Sequence, residues 1–188
     1  APASGGTGSV EYQWWDVTNG GYWSNWSTAT SVRLNVPAYG YPYEFKVRAR
    51  YSGLESSSDP ITKTFTAPSV TKPEAPTITQ NSDGTFKASW KAVQGSYGTG
   101  DIKYQLYYGG TAVGNPTTGT SIIATIPSYG TAYSFTVKAT YSGVSATSNA
   151  TSFTFTSATL TAPGQPTVTS NRATYSVNWT AASASNGT

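Results

Sequence analysis

Apolar and polar residues alternate without a slip along Tyr133-Ser134-Phe135-Thr136-Val137-Lys138-Ala139-Thr140. Tyr133, Phe135, Val137 and Ala139 fall on one side, and Ser134, Thr136, Lys138 and Thr140 on the other. A period of two over this length predicts a strand with one buried face and one wet face. The same pattern stands 90 positions earlier, in Tyr43-Glu44-Phe45-Lys46-Val47-Arg48-Ala49-Arg50. Both copies run into Tyr-Ser-Gly, at Tyr51 and at Tyr141.

Shorter alternating runs flank each copy. Val10 to Trp14, Ser31 to Val36 and Ile61 to Phe65 are predicted strands of a first unit. Pro37 closes the second of these, and Asn19-Gly20-Gly21 reads as a turn. In a second unit, strands are predicted at Thr77 to Thr79, Phe86 to Trp90, Ile102 to Tyr108, Ser121 to Ile126 and Ser152 to Phe155. Asp83-Gly84 marks a tight turn. Three prolines at 68, 73 and 76 predict a semi-rigid linker, and Pro163 and Pro166 repeat it. Thr167 to Thr169 and Thr174 to Trp179 then open a further unit. Short, turn-punctuated strands without helical periodicity predict an all-β chain of two-sheet sandwiches.

Composition narrows the chemistry. Of 188 residues only 10% are charged, 37% are hydrophobic, and the net charge is +3. There is no Cys, His or Met. Disulfides, thiolate chemistry and imidazole bases are therefore ruled out. With no basic run, nucleic acid is not expected as a partner. No apolar run approaches the ~18 residues of a membrane span. The opening Ala1-Pro2-Ala3-Ser4-Gly5-Gly6 is compatible with an end left by signal cleavage.

The middle unit resembles a fibronectin type III domain. The resemblance rests on the proline opening a Thr-Ile-Thr strand, on Trp90 in the second strand, and on the Tyr-x-Phe-x-Val-x-Ala pattern from Tyr133. It extends over nearly the whole chain, as one complete and two partial copies of the bacterial or viral extracellular type. It implies an immunoglobulin-like sandwich with strands A, B and E in one sheet and C, F and G in the other. Trp90 and Trp179 then lie on B strands. Tyr43, Phe45 and Val47 form the F-strand core of one copy, and Tyr133, Phe135 and Val137 that of the other. Tyr133 is expected to be a tyrosine corner whose hydroxyl bonds upstream backbone. No Arg-Gly-Asp adhesive motif occurs.

These units are expected to occupy residues 1–66 (strands C to G), 76–156 (complete) and 166–188 (strands A and B). Linkers are expected at 67–75 and 157–165. The breaks in the two partial copies coincide in the B–C loop. Two arrangements fit: a piece of a longer array, or a subunit whose A–B hairpin completes the next chain's first unit, giving a head-to-tail filament.

The candidate chemistry is sparse. None of Glu11, Asp16, Glu44, Glu55, Asp59, Glu74, Asp83 and Asp101 shows calcium-loop spacing, so no metal or cofactor is expected. Trp15, Tyr22, Trp23 and Trp26, beside Trp14, form the candidate site. They fit either packing against a neighbouring module or stacking against sugar rings. Glu44, Lys46, Arg48 and Arg50 on the wet face of one F strand fit a solvated ladder paired with Glu11, or an anion-binding patch. Sequons at Asn25, Asn149, Asn178 and Asn186 permit glycosylation. The function expected is that of a non-enzymatic, extracellular spacer array or fibre subunit at a cell surface. The alternatives are a carbohydrate-binding adhesion module and a virion decoration domain.

Overall fold

The computed structural model describes residues 8–16, 21–22, 24–36 and 38–185. Trp23 and Asn186 lie outside them. The chain divides into two compact units, Ala1–Ala67 and Pro68–Thr188.

The second unit holds a closed sandwich. One sheet is made of β7 (Thr77–Gln80), β8 (Thr85–Ser89) and β12 (Ser121–Thr125), ordered β12-β8-β7. The other is ordered β11-β10-β13-β14, from β10 (Lys103–Tyr108), β11 (Thr111–Thr117), β13 (Ala132–Tyr141) and β14 (Val144–Thr147). β15 (Thr151–Thr154) continues the β14 edge along β13. The alternation of β13 is realised in full, with Phe135, Val137 and Ala139 each 0% exposed. Across the sandwich, Phe86 meets Phe135 at 5.4 Å and Phe155 at 5.1 Å, and Trp90 lies 5.8 Å from Tyr104. This is the A-B-E against C-F-G arrangement implied by the sequence.

Among the described residues, the first unit shows the second of those sheets and not the first. β1 (Glu11–Asp16), β2 (Gly21–Tyr22), β3 (Pro42–Tyr51), β4 (Leu54–Ser57) and β5 (Ile61–Thr64) form one sheet, ordered β2-β1-β3-β4 with β5 also on β3. Its register repeats that of the sandwich. Tyr12 faces Ala49 and Trp14 faces Val47, as Tyr104 faces Ala139 and Leu106 faces Val137. Both β3 and β13 end in a Ser-Gly hairpin, with Ser52 and Gly53 at φ 48° and 77° and Ser142 and Gly143 at 47° and 84°. Two consecutive positive φ values define the type I′ turn that suits strand twist, and glycine supplies the second at no steric cost.

Three short pairings complete the second unit. β6 (Ser69–Val70) pairs with β9 (Gly95–Ser96), and β16 (Thr159–Leu160) with β19 (Ala184–Ser185). β17 (Thr167–Asn171) and β18 (Thr174–Asn178) form a hairpin.

Several sequence expectations change. Ser31 to Val36 form no strand; the equivalent β12 is a strand because β8 pairs with it, and no such partner lies beside residues 31–36 among the described residues. For the same reason Val47 is 45% exposed and Trp179 63% exposed, although the pattern reads both as core. Within the semi-rigid segment 67–75, Thr71 N donates to Gln94 O at 2.9 Å, and Lys91 pairs with Glu74 at 2.9 Å. The Tyr133 hydroxyl meets the Ser128 hydroxyl at 2.6 Å rather than backbone. Ala38 stands at the position of Ser128 in the first unit, so that side-chain bond has no counterpart there.

Two turns give testable consequences. Where β14 passes into β15, Val137 N donates to Ser148 Oγ at 2.9 Å and Ser148 N donates to Val137 O at 2.9 Å. Ser148 is buried, so Ser148→Ala strands a buried amide and is expected to destabilise the sandwich by about 1–3 kcal/mol in urea unfolding. Ser58 makes the same clasp to Val47 in an exposed setting, so Ser58→Ala is expected to cost less. In the β7–β8 turn, the Thr85 hydroxyl and then the Thr85 amide hold the Asp83 carboxyl below its ordinary range. A lowered folded-state pKa means the ionised group stabilises the fold above the ordinary value, and that contribution fades as pH falls through the lowered one. The stability difference between the natural chain and Asp83→Ala is therefore expected to hold at neutral pH and to shrink below about pH 4 in thermal melts.

Candidate functional site

β3 presents Lys46, Arg48 and Arg50 on the face opposite Phe45 and Val47, because they are the alternate residues of the same strand. β1 adds Glu11, Gln13 and Trp15, which face Arg50, Arg48 and Lys46 in register. Trp26 reaches this face from a loop. Tyr12 and Ser27 exchange backbone hydrogen bonds of 2.6 and 3.0 Å, and the Gln13 side-chain amide donates to Ser24 O at 2.9 Å. The two serines clip the loop to the edge of β1 on either side of Trp26.

The result is an alternation of cations and rings. Lys46 Nζ lies 5.8 Å from the Trp15 ring, and Arg48 Cζ lies 5.0 Å from it. Arg48 Cζ is also 5.2 Å from the Trp26 ring, and Arg50 Cζ is 4.5 Å from that ring. The guanidiniums are held from the side. Arg50 Nε pairs with Glu11 at 2.8 Å, Arg48 pairs with Glu55 at 3.6 Å, and Arg48 donates to Gln13 Oε1. Gln13 is 4% exposed at the centre. A cation over an indole face is attracted by the ring quadrupole, and planar guanidinium also stacks.

Of the predicted site residues, Trp15 and Trp26 come together here. Tyr22 is placed opposite Trp15 in β2. Trp14 points to the other face, where its ring lies 5.5 Å from Phe45. That inner face carries an open groove of about 390 Å³, lined by Tyr12, Trp14, Val32 and Val47 among others. Sequence reasoning did not place Arg48 between the two indoles. The signal was the Arg-Ala-Arg spacing, which puts two guanidiniums on one face of a strand. Among the described residues no group of three His, Cys, Asp or Glu side chains is placed to hold a metal. Asn25, Asn149 and Asn178 are exposed, and Asn149 Oδ1 accepts from Lys72 Nζ at 2.7 Å.

Strand order, register and core together define an all-β chain of fibronectin type III-like, immunoglobulin-like sandwich architecture. No family model matches the chain. It is 29% identical to Exoglucanase B of Cellulomonas fimi over 189 residues, a match covering 95% of this chain. The chain spans only 17% of the length of that protein. Among solved structures, the chicken interferon gamma receptor alpha chain aligns over 83% of this chain and 89% of its own, at 10% identity and a TM-score of 0.33. The fold assignment rests on the strand pairing and not on that alignment.

Arg48 touches both indoles, so Arg48→Ala is expected to loosen the loop carrying Trp26 and to destabilise the first unit by about 1–2 kcal/mol. Arg48→Lys keeps the charge without the planar stack and is expected to fall between the two. Urea unfolding followed by tryptophan fluorescence measures both.

Proposed function

We infer that the chain is a non-catalytic structural stretch of an extracellular protein, built as a spacer array of fibronectin type III-like modules. It comprises one complete copy at 76–156 and partial copies on either side. The observation that carries this is the repetition of one strand register in two units, including the same Ser-Gly turns and the same serine clasp. Modules repeated at this level of backbone detail extend a chain by adding like units in series. The relationship to part of a much longer exoglucanase fits a segment that accompanies other domains.

The cation–ring alternation serves this role as an internal fastener. Each of the Trp15 and Trp26 rings already has two cations within 5.8 Å of its centroid, which leaves less of it for a sugar ring. Titration of the 188-residue chain with soluble cello-, xylo- and chito-oligosaccharides is expected to show no saturable change in tryptophan fluorescence, and incubation with cellulose no release of sugar. Saturable binding abolished by Trp26→Ala would establish the carbohydrate-binding reading instead.

A further inference from the structure

We propose that residues 157–165, between the complete sandwich and the β17–β18 hairpin, are a stiff coupling with a joint of two residues. The inference rests on the spacer reading and deepens it: this spacer holds its repeats at a set distance. Proline content alone does not give such stiffness. Pro163 fixes one φ angle of the segment and leaves the others open. The stiffness comes from a hold at either end.

The sandwich keeps its own chain through Thr156. Gly130 N donates to Phe155 O at 2.8 Å. The Gln80 side chain then brackets the next residue. Its Nε2 donates to Thr156 O at 2.8 Å, and its Oε1 accepts from Thr156 N at 2.9 Å. A side-chain amide carries one acceptor and two donors, so it can pair with both backbone groups of one residue as a neighbouring strand would.

The next hold begins at Thr159. β16 sets Thr159 opposite Ser185 and Leu160 opposite Ala184, and the Thr159 and Ser185 hydroxyls meet at 2.6 Å. Thr161 N donates to Ser183 O at 2.8 Å, and Ser183 N donates back to Thr161 Oγ1 at 2.8 Å. Gly164 N donates to Thr180 O at 2.9 Å. A Cβ on Gly164 would lie 2.8 Å from the Thr180 Cβ, so glycine is what lets the backbones come this close. Ser157 and Ala158 separate the two holds.

The entry to the complete sandwich is built the same way one repeat earlier. β6 sets Ser69 opposite Ser96 and Val70 opposite Gly95. Thr71 N donates to Gln94 O at 2.9 Å, and Gln94 N donates back to Thr71 Oγ1 at 3.0 Å. Glu74 and Lys91, which stand where Gly164 and Thr180 stand later, pair at 2.9 Å. The threonine clasp is thus a feature of the repeat. It needs the hydroxyl, because the amide of Gln94 or Ser183 takes it as acceptor.

The test reads backbone order and the spread of distances across the joint in the 188-residue chain. Nitrogen-15 relaxation is expected to give residues 159–162 and 164 order parameters near the ~0.85 of rigid backbone, against below ~0.6 for a flexible linker. The chain has no cysteine, so spin labels can be placed at Lys103→Cys and Arg172→Cys, both exposed. One narrow distance distribution is expected between them. Seven Gly and Ser residues inserted between Ser157 and Ala158 lengthen the joint from two residues to nine. Since the spread of a flexible chain grows as the square root of its length, the distribution is expected to broaden about twofold. Thr161→Ala is expected to broaden it and to lower the order parameters at 159–162, while Thr161→Ser restores both. Residues 167–178 in the same spectra report whether the hairpin stays folded in each variant. A natural chain as broad as the chain with the insertion would overturn the proposal. So would order parameters below ~0.6 across 159–164, or a Thr161→Ala chain indistinguishable from the natural one. None of these results bears on the sugar titrations, which test the spacer reading separately.

Discussion

A sheet with one apolar face needs a second layer against it, and most of the differences within this molecule follow from that need. Val47 and Val137 are the same residue in the same strand pattern, opposite Trp14 and Leu106 in the same register. One is 45% exposed and the other 0%. Phe65 and Phe155 differ in the same sense, half-buried against fully buried. Among the described residues, the β7–β8 hairpin lies against the sheet of the second unit and no such hairpin lies against that of the first. Apolar burial stabilises by roughly 25 cal/mol per Å², so the hairpin makes the difference between a sheet and a domain.

The wet face of the first sheet solves a second problem. In the complete sandwich, seven-residue β11 secures the next stretch of chain to β10, and Gln105 bonds the Val113 carbonyl at 2.9 Å. In the first unit two residues of the counterpart strand β2 are described. Gln13 makes the equivalent bond, to Ser24. Trp26, gripped between Arg48 and Arg50, ties the loop across β1 to β3. The aromatic cluster and the basic stripe, which read as two separate surface features in sequence, are one fastener. Each explains the other: three cations on one strand face repel unless aromatic faces and the Glu11 and Glu55 carboxylates separate them.

The period of two carried most of the fold, because strand alternation depends only on which face meets an apolar layer. The F-type strands, their Ser-Gly turns and the repeat were legible for that reason. What escaped were features set by a partner rather than by the segment itself. Ser31 to Val36 alternates well yet forms no strand, since a strand is a paired state. The short β6 and β16 were hidden in proline-rich stretches because two-residue pairings leave no periodicity. Trp26 was legible as an exposed aromatic but not as a rung between two guanidiniums, since its position depends on the Ser24 and Ser27 clips. The Tyr133 hydroxyl pairs with the Ser128 hydroxyl, a partner that spacing does not decide.

The β17–β18 hairpin shows how much of the register precedes the core. Its residues are exposed throughout, yet Val168 still faces Val177. Its turn is also one residue shorter than that of β7–β8. The Asn171 side-chain oxygen accepts from the Thr174 amide at 3.2 Å and its hydroxyl at 2.9 Å, where Asp83 serves Thr85 in the longer turn. Two different loops capped by the same kind of local bond deliver the same cross-strand pairs. The pairing is thus written in the turn and not imposed by the opposing sheet.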